Sequence, residues 1–358
     1  MMSARERVEA VLMGKRADQV PFTVYECMIP QCEVERRLRN EGLCIVQRLS
    51  VFGTEMPDVI ETVYQYRDHG VAKVRHDYRT PVGDLYSVDI PVEMDAPSRS
   101  TMWHEERLFK QPEDYRALEF MIRNRVHRSD YGPCLKAQSL AGNDAIVRAG
   151  IGYEPLQEII ISLMGLEAFA LEWATNRDGL LRLYRALQED RRKIYPIVAA
   201  SPARHANYGG NVVAEVVGPQ RFEQYLLPDY QECAEVMHKH GKLVGTHLDA
   251  NNRAIASRVA ALDLDYIEAF TPAPDSDMSV AEALAAWPDK VLWINFPSSV
   301  HLQPYAAIKE ATLEILHQAL TGERLIVGIT EDVPNDHWQK SYTAISEALQ
   351  SDGHLPLR

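Results

Sequence analysis

The sequence lacks the features that mark secreted and membrane-bound proteins. Its five cysteines are an odd number in a chain of 358 residues and include no Cys-x-x-Cys pair, so a disulfide framework is not expected. The most apolar stretch, residues 159–174, contains two glutamates and is too short for a membrane span, which predicts a buried helix. Residues 1–16 scatter charges among apolar positions and predict no secretion signal. We therefore expect a cytoplasmic protein with free thiols.

The sequence also has fewer basic than acidic residues. Lysine and arginine number 38 against 51 aspartate and glutamate, which gives a formal net charge of -13. Charge of that sign repels nucleic-acid phosphates and anionic lipid surfaces, and no basic patch is visible in the sequence. We expect neither a nucleic acid nor a membrane as a partner. With 46% hydrophobic and 25% charged residues, the composition is that of an ordinary globular protein.

Short apolar runs alternate with helical patterns along most of the chain. A capping box at Ser3 and Glu6 predicts an N-terminal helix that ends near Gly14. Residues 58–92 are rich in β-forming residues, with turn signals at 68–70 and 81–83, and predict a hairpin-bearing insertion. Eight candidate strands are predicted, at residues 20–25, 59–64, 145–151, 206–208, 243–248, 266–270, 291–296 and 325–329.

This alternation favours an α/β fold of the (β/α)8 TIM barrel type, with an N-terminal helical segment and a β-hairpin insertion. We expect a single domain over residues 1–358, in which residues 58–135 form an insertion-rich region. A doubly wound open sheet shows the same alternation, but it requires a glycine-rich phosphate turn after the first strand. Residues 25–28, Tyr-Glu-Cys-Met, occupy that place, so the barrel is preferred.

Active-site side chains of such a barrel follow the C-terminal ends of its strands. His247 and Asp249 lie two residues apart and can point into the same mouth, while Glu268 lies within the next strand. Glu331 or Asp332, after the last strand, would complete the group. One imidazole with two or three carboxylates is a plausible site for Zn2+, Mn2+ or Fe2+.

Two other interpretations of these residues stay open. A His-x-Asp pair arises often by chance in a chain with 12 histidines and 51 acidic residues. Glu268 is flanked by apolar residues, and burial of an unpaired carboxylate costs several kcal/mol, so a structural arginine such as Arg148 or Arg204 could satisfy it instead.

Four segments of the sequence resemble the uroporphyrinogen decarboxylase superfamily and its corrinoid-linked methyltransferase branch, over nearly the whole chain. They are RERVEAVLMGKRADQVPF at the start, Thr80-Pro81-Val82-Gly83, FEQYLLPDYQECAEVMHKHGKLVGTHLD, and GITEDVP near the end. The resemblance implies a (β/α)8 barrel with one zinc ion at its mouth. It also implies methyl transfer between a small methylated compound and the corrinoid (cobalamin) of a partner protein.

The zinc-binding members resemble one another in a His-x-Cys pair, in some cases a glutamate on the following strand, and a distant cysteine near the final strand. Those positions correspond here to His247, Asp249, Glu268 and, for the last, Thr330 or Glu331, so neither cysteine of the pattern is present. An oxygen-rich shell suits an oxygen-bearing substrate, such as a methoxylated aromatic compound that undergoes O-demethylation. The arginine-containing motif of the decarboxylases is absent after the first strand, which ranks decarboxylation below methyl transfer.

The remaining polar residues near the strand ends receive roles from this interpretation. Tyr25 and Glu26 are candidate catalytic residues, and the candidate substrate-binding residues are Glu154, Asn207, Tyr208 and Asn295. Surface or helix-terminal carboxylates are the alternative for Glu26 and Glu154. The alternative functions are a decarboxylase-like lyase without a metal and a non-catalytic barrel that binds a corrinoid or a methylated ligand. A homodimer is one assembly that the sequence allows.

Overall fold

Within residues 2–357, which a computed structural model describes, eight parallel strands close into a barrel, and this confirms the predicted TIM-barrel fold. The barrel strands are β1 (Phe22–Tyr25), β2 (Leu43–Leu49), β9 (Ala145–Gly152), β10 (His205–Tyr208), β11 (Leu243–His247), β12 (Tyr266–Phe270), β13 (Val291–Asn295) and β14 (Leu325–Ile329). Around the barrel their order is β1-β14-β13-β12-β11-β10-β9-β2, and the pairing of β1 with β2 closes it.

The first α-helix precedes β1, and the others connect later strands or follow the last one. The helices are α1 (Ala4–Leu12), α2 (Glu33–Asn40), α3 (Tyr115–Arg123), α4 (Gly132–Leu140), α5 (Pro155–Gln157), α6 (Leu166–Thr175), α7 (Arg177–Ala199), α8 (Ala214–Arg221), α9 (Leu227–Lys239), α10 (Ala256–Ala260), α11 (Val280–Ala286), α12 (Ser298–His301), α13 (Tyr305–Gln318) and α14 (Trp338–Asp352). Wider π-helical turns at Glu158–Met164 and Phe222–Leu226 precede α6 and α9, and 3-10 turns lie at Pro112–Asp114 and Arg253–Ile255. Across residues 2–357, none of these helices combines the length and apolar character that a membrane crossing requires.

Seven of the eight predicted barrel strands are confirmed, and one is wrong. The sequence predicts residues 59–64 in the barrel, but the second barrel strand is β2, which pairs with β1 on one side and β9 on the other. Residues 60–68 instead form a strand of a separate sheet. The predicted helix at 159–174 is interrupted at Gly165, whose φ of +79 separates the π-helical turn from α6.

The segment between β2 and β9 holds two small antiparallel sheets. One pairs β3 (Phe52–Glu55) with β8 (Val126–Ser129). The other has four strands in chain order, β4 (Ile60–Asp68), β5 (Val71–Thr80), β6 (Gly83–Glu93) and β7 (Ser100–Glu106). The two turns predicted at 68–70 and 81–83 connect β4 to β5 and β5 to β6, so the predicted hairpins are confirmed.

The N-terminal helix α1 closes the end of the barrel opposite the predicted active-site mouth. Its predicted capping box is confirmed, since the Ser3 hydroxyl accepts from the Glu6 amide and the Glu6 carboxylate accepts from the Ser3 amide. Val8 and Val11 of α1 are fully buried against the side chains that fill the barrel interior, among them Tyr266 and Trp293. The interior is therefore packed from below, and access is left to the mouth at the C-terminal ends of the strands.

Candidate functional site

Three potential metal ligands converge at the mouth of the barrel. His247 ends β11, Asp249 lies two residues beyond it, and Glu331 follows β14. One ligand atom from each of the three lies within 4.8 Å of the other two. His247 is mostly buried and Asp249 about three-quarters buried, while Glu331 is exposed on the rim. The structure thus brings together three of the four residues predicted to hold a metal.

Glu268, the fourth predicted ligand, has a different place. In the parallel pairing of β11 with β12 it lies directly beside His247, and its Oε2 is 2.9 Å from His247 Nδ1. Its Oε1 is 2.9 Å from Arg148 Nη1 and accepts a hydrogen bond from the Tyr25 hydroxyl. Both carboxylate oxygens are therefore engaged, so Glu268 lies behind the imidazole and outside the group of converging ligand atoms. Of the two arginines that the sequence offered as partners for Glu268, Arg148 is the one that pairs with it.

Burial and charge fix the ionisation of this inner group. Glu268 is fully buried, which alone would raise its pKa, but Arg148 and then His247 outweigh burial and hold that pKa well below its usual range. Arg148 stays charged because Glu268 outweighs the effect of burial and raises the guanidinium pKa. Burial, helped by the negative charge of Glu268, raises the pKa of Tyr25 well above its usual value. Glu268 is an anion, and Tyr25 is a neutral donor that orients it.

Glu268 also determines which nitrogen of His247 faces the mouth. Because the carboxylate accepts at Nδ1, the neutral ring carries its proton there and leaves Nε2 free to bind a cation. Nε2 is 3.5 Å from the Asp249 carboxylate. In the absence of a cation the imidazole is protonated instead, because Glu268 and Asp249 outweigh burial and raise the His247 pKa to about 10.

The chemistry of these residues fits a divalent metal ion. Two carboxylates and one neutral imidazole balance a charge of +2, and three protein ligands leave a fourth position open, as in catalytic zinc sites. Ligand atoms around a tetrahedral zinc lie about 3.4 Å apart. The three groups, already within 4.8 Å, need only a small approach to reach that spacing. The exposed Glu331 side chain has the freedom to make it.

Backbone strain lies directly beside this group. Ala269 adopts φ of +58, a left-handed conformation that is unfavourable for a residue with a Cβ, and the pairing of β12 with β13 shifts register between Glu268 and Phe270. Bulges of this kind often adjoin active sites, where they aim a side chain that regular pairing would turn away.

The two predicted catalytic residues differ in their surroundings. Tyr25 is buried and bound to Glu268 and to Arg148 Nη2, which donates to its hydroxyl over 3.2 Å, so it positions Glu268 and has no access to a substrate. Glu26 lies on the rim and pairs with Arg48 at 3.2 Å. The Arg48 guanidinium in turn covers the Tyr25 ring at 3.7 Å from its centroid. A catalytic role for Tyr25 needs correction to a positioning role, whereas the role of Glu26 stays a prediction.

The predicted substrate-binding residues differ in where their side chains lie. Tyr208 faces away from the mouth, whereas Asn295 is on the same side of β13 as the interior residue Trp293. Alternate residues of a strand point to opposite sides, and Tyr208 points outward, where it is fully buried against the outer helices. Its hydroxyl accepts a hydrogen bond from the Tyr195 hydroxyl of α7 at 2.9 Å. Asn295 is buried and accepts from the Thr330 amide at 3.0 Å, which ties the end of β13 to that of β14. Tyr208 therefore points away from a substrate at the mouth, while the substrate-binding role of Asn295 stays a prediction.

Asn207 and Glu154 remain candidates. Asn207 alternates with Tyr208 and pairs with Gly245, two residues before His247, and its buried Oδ1 has no partner within residues 2–357. Glu154 follows β9 and is fully buried, and neither of its oxygens has a hydrogen-bond partner among the described residues. Burial raises the Glu154 pKa to about 8, so this carboxyl is largely neutral at pH 7.

Sequence reasoning missed the contribution of the inserted sheet to the mouth. The connection between β6 and β7 reaches the segment after β14, where the Ser98 amide and hydroxyl both donate to the Asp332 carboxylate. Asn335 is bonded to Asp95 of the same connection through its backbone amide at 3.1 Å and its side chain at 2.8 Å. These contacts join residues more than 230 positions apart, and no local pattern in the sequence signals them.

Comparison with solved structures finds the same fold in a methyltransferase from Methanosarcina mazei. The two share 12% sequence identity and a TM-score of 0.58, with 98% of this chain and 99% of the other aligned. Tandem GH20 catalytic modules of a pneumococcal exo-beta-D-N-acetylglucosaminidase align less well, at 9% identity and a TM-score of 0.38 over 96% of this chain and 86% of the other. Neither the protein-family models nor the curated proteins gave a match. The chain therefore shares its barrel fold with the Methanosarcina methyltransferase over 98% of its length.

Proposed function

We propose that this protein is a metal-dependent methyltransferase that moves a methyl group from a small methylated substrate to a corrinoid carried by a partner protein. A methoxylated aromatic compound is the substrate we favour, and zinc is the metal. The observation that carries the proposal is the convergence of His247, Asp249 and Glu331 at the open end of the barrel, with Glu268 behind the imidazole. The fold shared with a methyltransferase supports it.

Each residue has a part in this function. Glu268 holds the His247 ring with Nε2 towards the mouth, and Arg148 and Tyr25 keep Glu268 anionic and in place. Asp249 and Glu331 supply the charge that balances the ion. A bound divalent cation would supply Lewis acidity towards an ether oxygen at the fourth position.

The reaction balances without an external oxidant. The methyl carbon exchanges its bond to oxygen for a bond to the reduced cobalt of the corrinoid, which provides the electron pair, and the released oxygen takes up a proton. A shell of two carboxylates and one imidazole suits this leaving group better than a thiolate shell, which favours sulfur substrates. The open mouth, rather than the packed interior, is where a partner protein could present its corrinoid.

The test combines metal analysis with a spectroscopic assay. We expect the purified protein to contain a stoichiometric divalent metal and to methylate reduced cobalamin, seen in the visible spectrum, with at least one of a panel of methoxy compounds. His247→Ala should lose both the metal and methyl transfer, because it removes the best-oriented ligand. His240→Ala, at the exposed end of α9, is the matched control and should retain both.

The outcomes separate the alternatives. Methyl transfer by His247→Ala at the wild-type rate, with unchanged circular dichroism, would show that the proposed mechanism is wrong. A protein that binds cobalamin and never methylates it would be a binding module. A protein that contains no metal after expression with zinc would fit the decarboxylase-like lyase.

A further inference from the structure

The strand β4 forms a free edge of the inserted sheet. All its residues from Ile60 to Arg67 are exposed, on both faces of the sheet, and among residues 2–357 it pairs with β5 alone. Apolar side chains are prominent on it, with Ile60 64%, Val63 51% and Tyr64 50% exposed. A long, regular and apolar edge of this kind is a template for another strand, and proteins that keep such edges single usually shorten, bend or charge them.

The turn that follows β4 shows which backbone groups are free. His69 and Gly70 have φ of +47 and +84, which makes a two-residue type I′ turn flanked by the pair Asp68 and Val71. In such a hairpin the flanking pair exchanges hydrogen bonds, and every second residue along the strand does the same. The amide and carbonyl groups of residues 61, 63, 65 and 67 therefore point outward, to the open edge.

We propose that β4 pairs with β4 of a second copy of this chain, antiparallel and centred on Tyr64, to form a dimer with one continuous eight-stranded sheet. In this register residue 61 faces residue 67 of the second copy and residue 63 faces residue 65, and these are the residues with outward backbone groups. The geometry of the free edge and the register of the twofold axis therefore agree.

Charge complementarity supports the same register. Glu61 of each copy lies opposite Arg67 of the other, which gives two symmetric ion pairs on one face of the sheet. Within residues 2–357, Arg67 has no carboxylate partner, and its Nη1 donates instead to the Gly70 carbonyl at 2.8 Å. Directly opposed charges of opposite sign stabilise an antiparallel pair, and like charges destabilise it.

The other edge of the sheet is a poorer template. The pairing of β6 with β7 contains a bulge at Val88 and Asp89, and β7 carries the adjacent carboxylates Glu105 and Glu106. A bulge twists an edge away from further pairing. Pairing of β4 with β7 of another copy would also leave free edges at both ends and produce open chains rather than a closed dimer.

A charge exchange tests the register. We expect the full-length protein to have the mass of a dimer by light scattering after gel filtration. Glu61→Arg and Arg67→Glu should each raise the dimer dissociation constant at least tenfold, because each sets like charges opposite one another. The double variant should restore the wild-type value. Glu310→Arg, at an exposed position of α13, is the control for net charge and should leave the dimer intact.

A cysteine placed on the twofold axis tests the geometry independently. Two Tyr64 Cα atoms in a non-hydrogen-bonded antiparallel pair would lie about 4.5 Å apart, within disulfide range. Tyr64→Cys should form a covalent dimer on mild oxidation, whereas Thr62→Cys and the wild type, with its own five free cysteines, should not. A monomeric wild type, open-ended polymers, or a dimer that ignores the charge exchange would each overturn the proposal.

Discussion

Glu268 shows how burial decides what a carboxylate can do. Its position in a barrel strand is compatible with a metal ligand, but a fully buried carboxylate must have its negative charge balanced by cations and hydrogen-bond donors in direct contact. Arg148, Tyr25 and His247 provide it, and they use both oxygens. Replacing Arg148 alone would leave an unpaired buried charge, which typically costs about 3–5 kcal/mol. Asp249 and Glu331, which are less buried, keep their carboxylates directed to the group of potential ligand atoms at the mouth.

Glu154 is a buried carboxyl with the opposite ionisation. Its pKa is raised to about 8 by burial, from 4.5 in an unfolded chain. Between these values the unfolded chain releases a proton that the folded protein keeps, so rising pH favours unfolding. The stability that this group contributes is complete below about pH 4.5 and is lost progressively up to about pH 8, at roughly 1.4 kcal/mol per pH unit.

Glu154→Gln should remove this dependence, because the amide does not titrate. We expect the variant to gain stability relative to the wild type as pH rises from 5 to 8.5, measured by urea unfolding at several pH values. The exposed Glu310→Gln should follow the wild type. Parallel curves for Glu154→Gln and the wild type would show that the Glu154 carboxyl is already ionised in the folded protein.

At the scale of elements, the loop that leaves β10 is shaped by close approach to its neighbours. Gly209 adopts φ of +76, and a Cβ there would overlap the Glu154 carboxylate after β9. At Gly210, with φ of +149, a Cβ would lie 3.1 Å from His247 Cβ. Consecutive glycines therefore let three strand ends meet at the mouth, where side chains would separate them.

Gly209→Ala should be more destabilising than the same change at Gly241. Gly241 has a similar φ of +66 but open space around it, so alanine there costs only the left-handed backbone, about 1–2 kcal/mol. At Gly209 the overlap with a fully buried side chain should add a further ~1–3 kcal/mol. Urea unfolding of the two variants measures the difference. Equal losses would mean that the loop and Glu154 are not in contact.

For the whole molecule, closure of the barrel depends on α1 as well as on the strands. The helix packs against interior side chains that come from most of the way around the barrel, including Val46, Ile146, Val291 and Ile326. The N-terminal segment is consequently part of the main core rather than an appendage.

Val8→Asp should test this role of α1. Val8 is fully buried, and an unpaired carboxylate at that position should cost about 3 kcal/mol or more. Met13→Asp, at the exposed end of the same segment, should change stability by well under 1 kcal/mol. The midpoint of urea unfolding gives both values. A Val8→Asp variant as stable as Met13→Asp would place α1 outside the cooperative core.

The sequence by itself determined the class of fold and the residues that could reach the mouth. Strand and helix periodicities and the capping box at Ser3 are local, so they could be interpreted correctly without knowledge of distant contacts. The same is true of His247 and Asp249, whose spacing alone places both on one side of a strand end. Local patterns failed at residues 59–64, since a β-rich run does not state which sheet it joins.

Only the tertiary structure decided which of those residues contact one another and which way each side chain points. Register places Glu268 beside His247 and turns Tyr208 outward, while closure of the barrel brings Arg148 and Tyr25 to the same carboxylate. Glu331 joins His247 because β14 and β11 belong to one ring, 84 residues apart in the chain. The physical reason is that a buried charge is stabilised by partners a few ångströms away in space, and separation along the sequence does not determine which residues come that close.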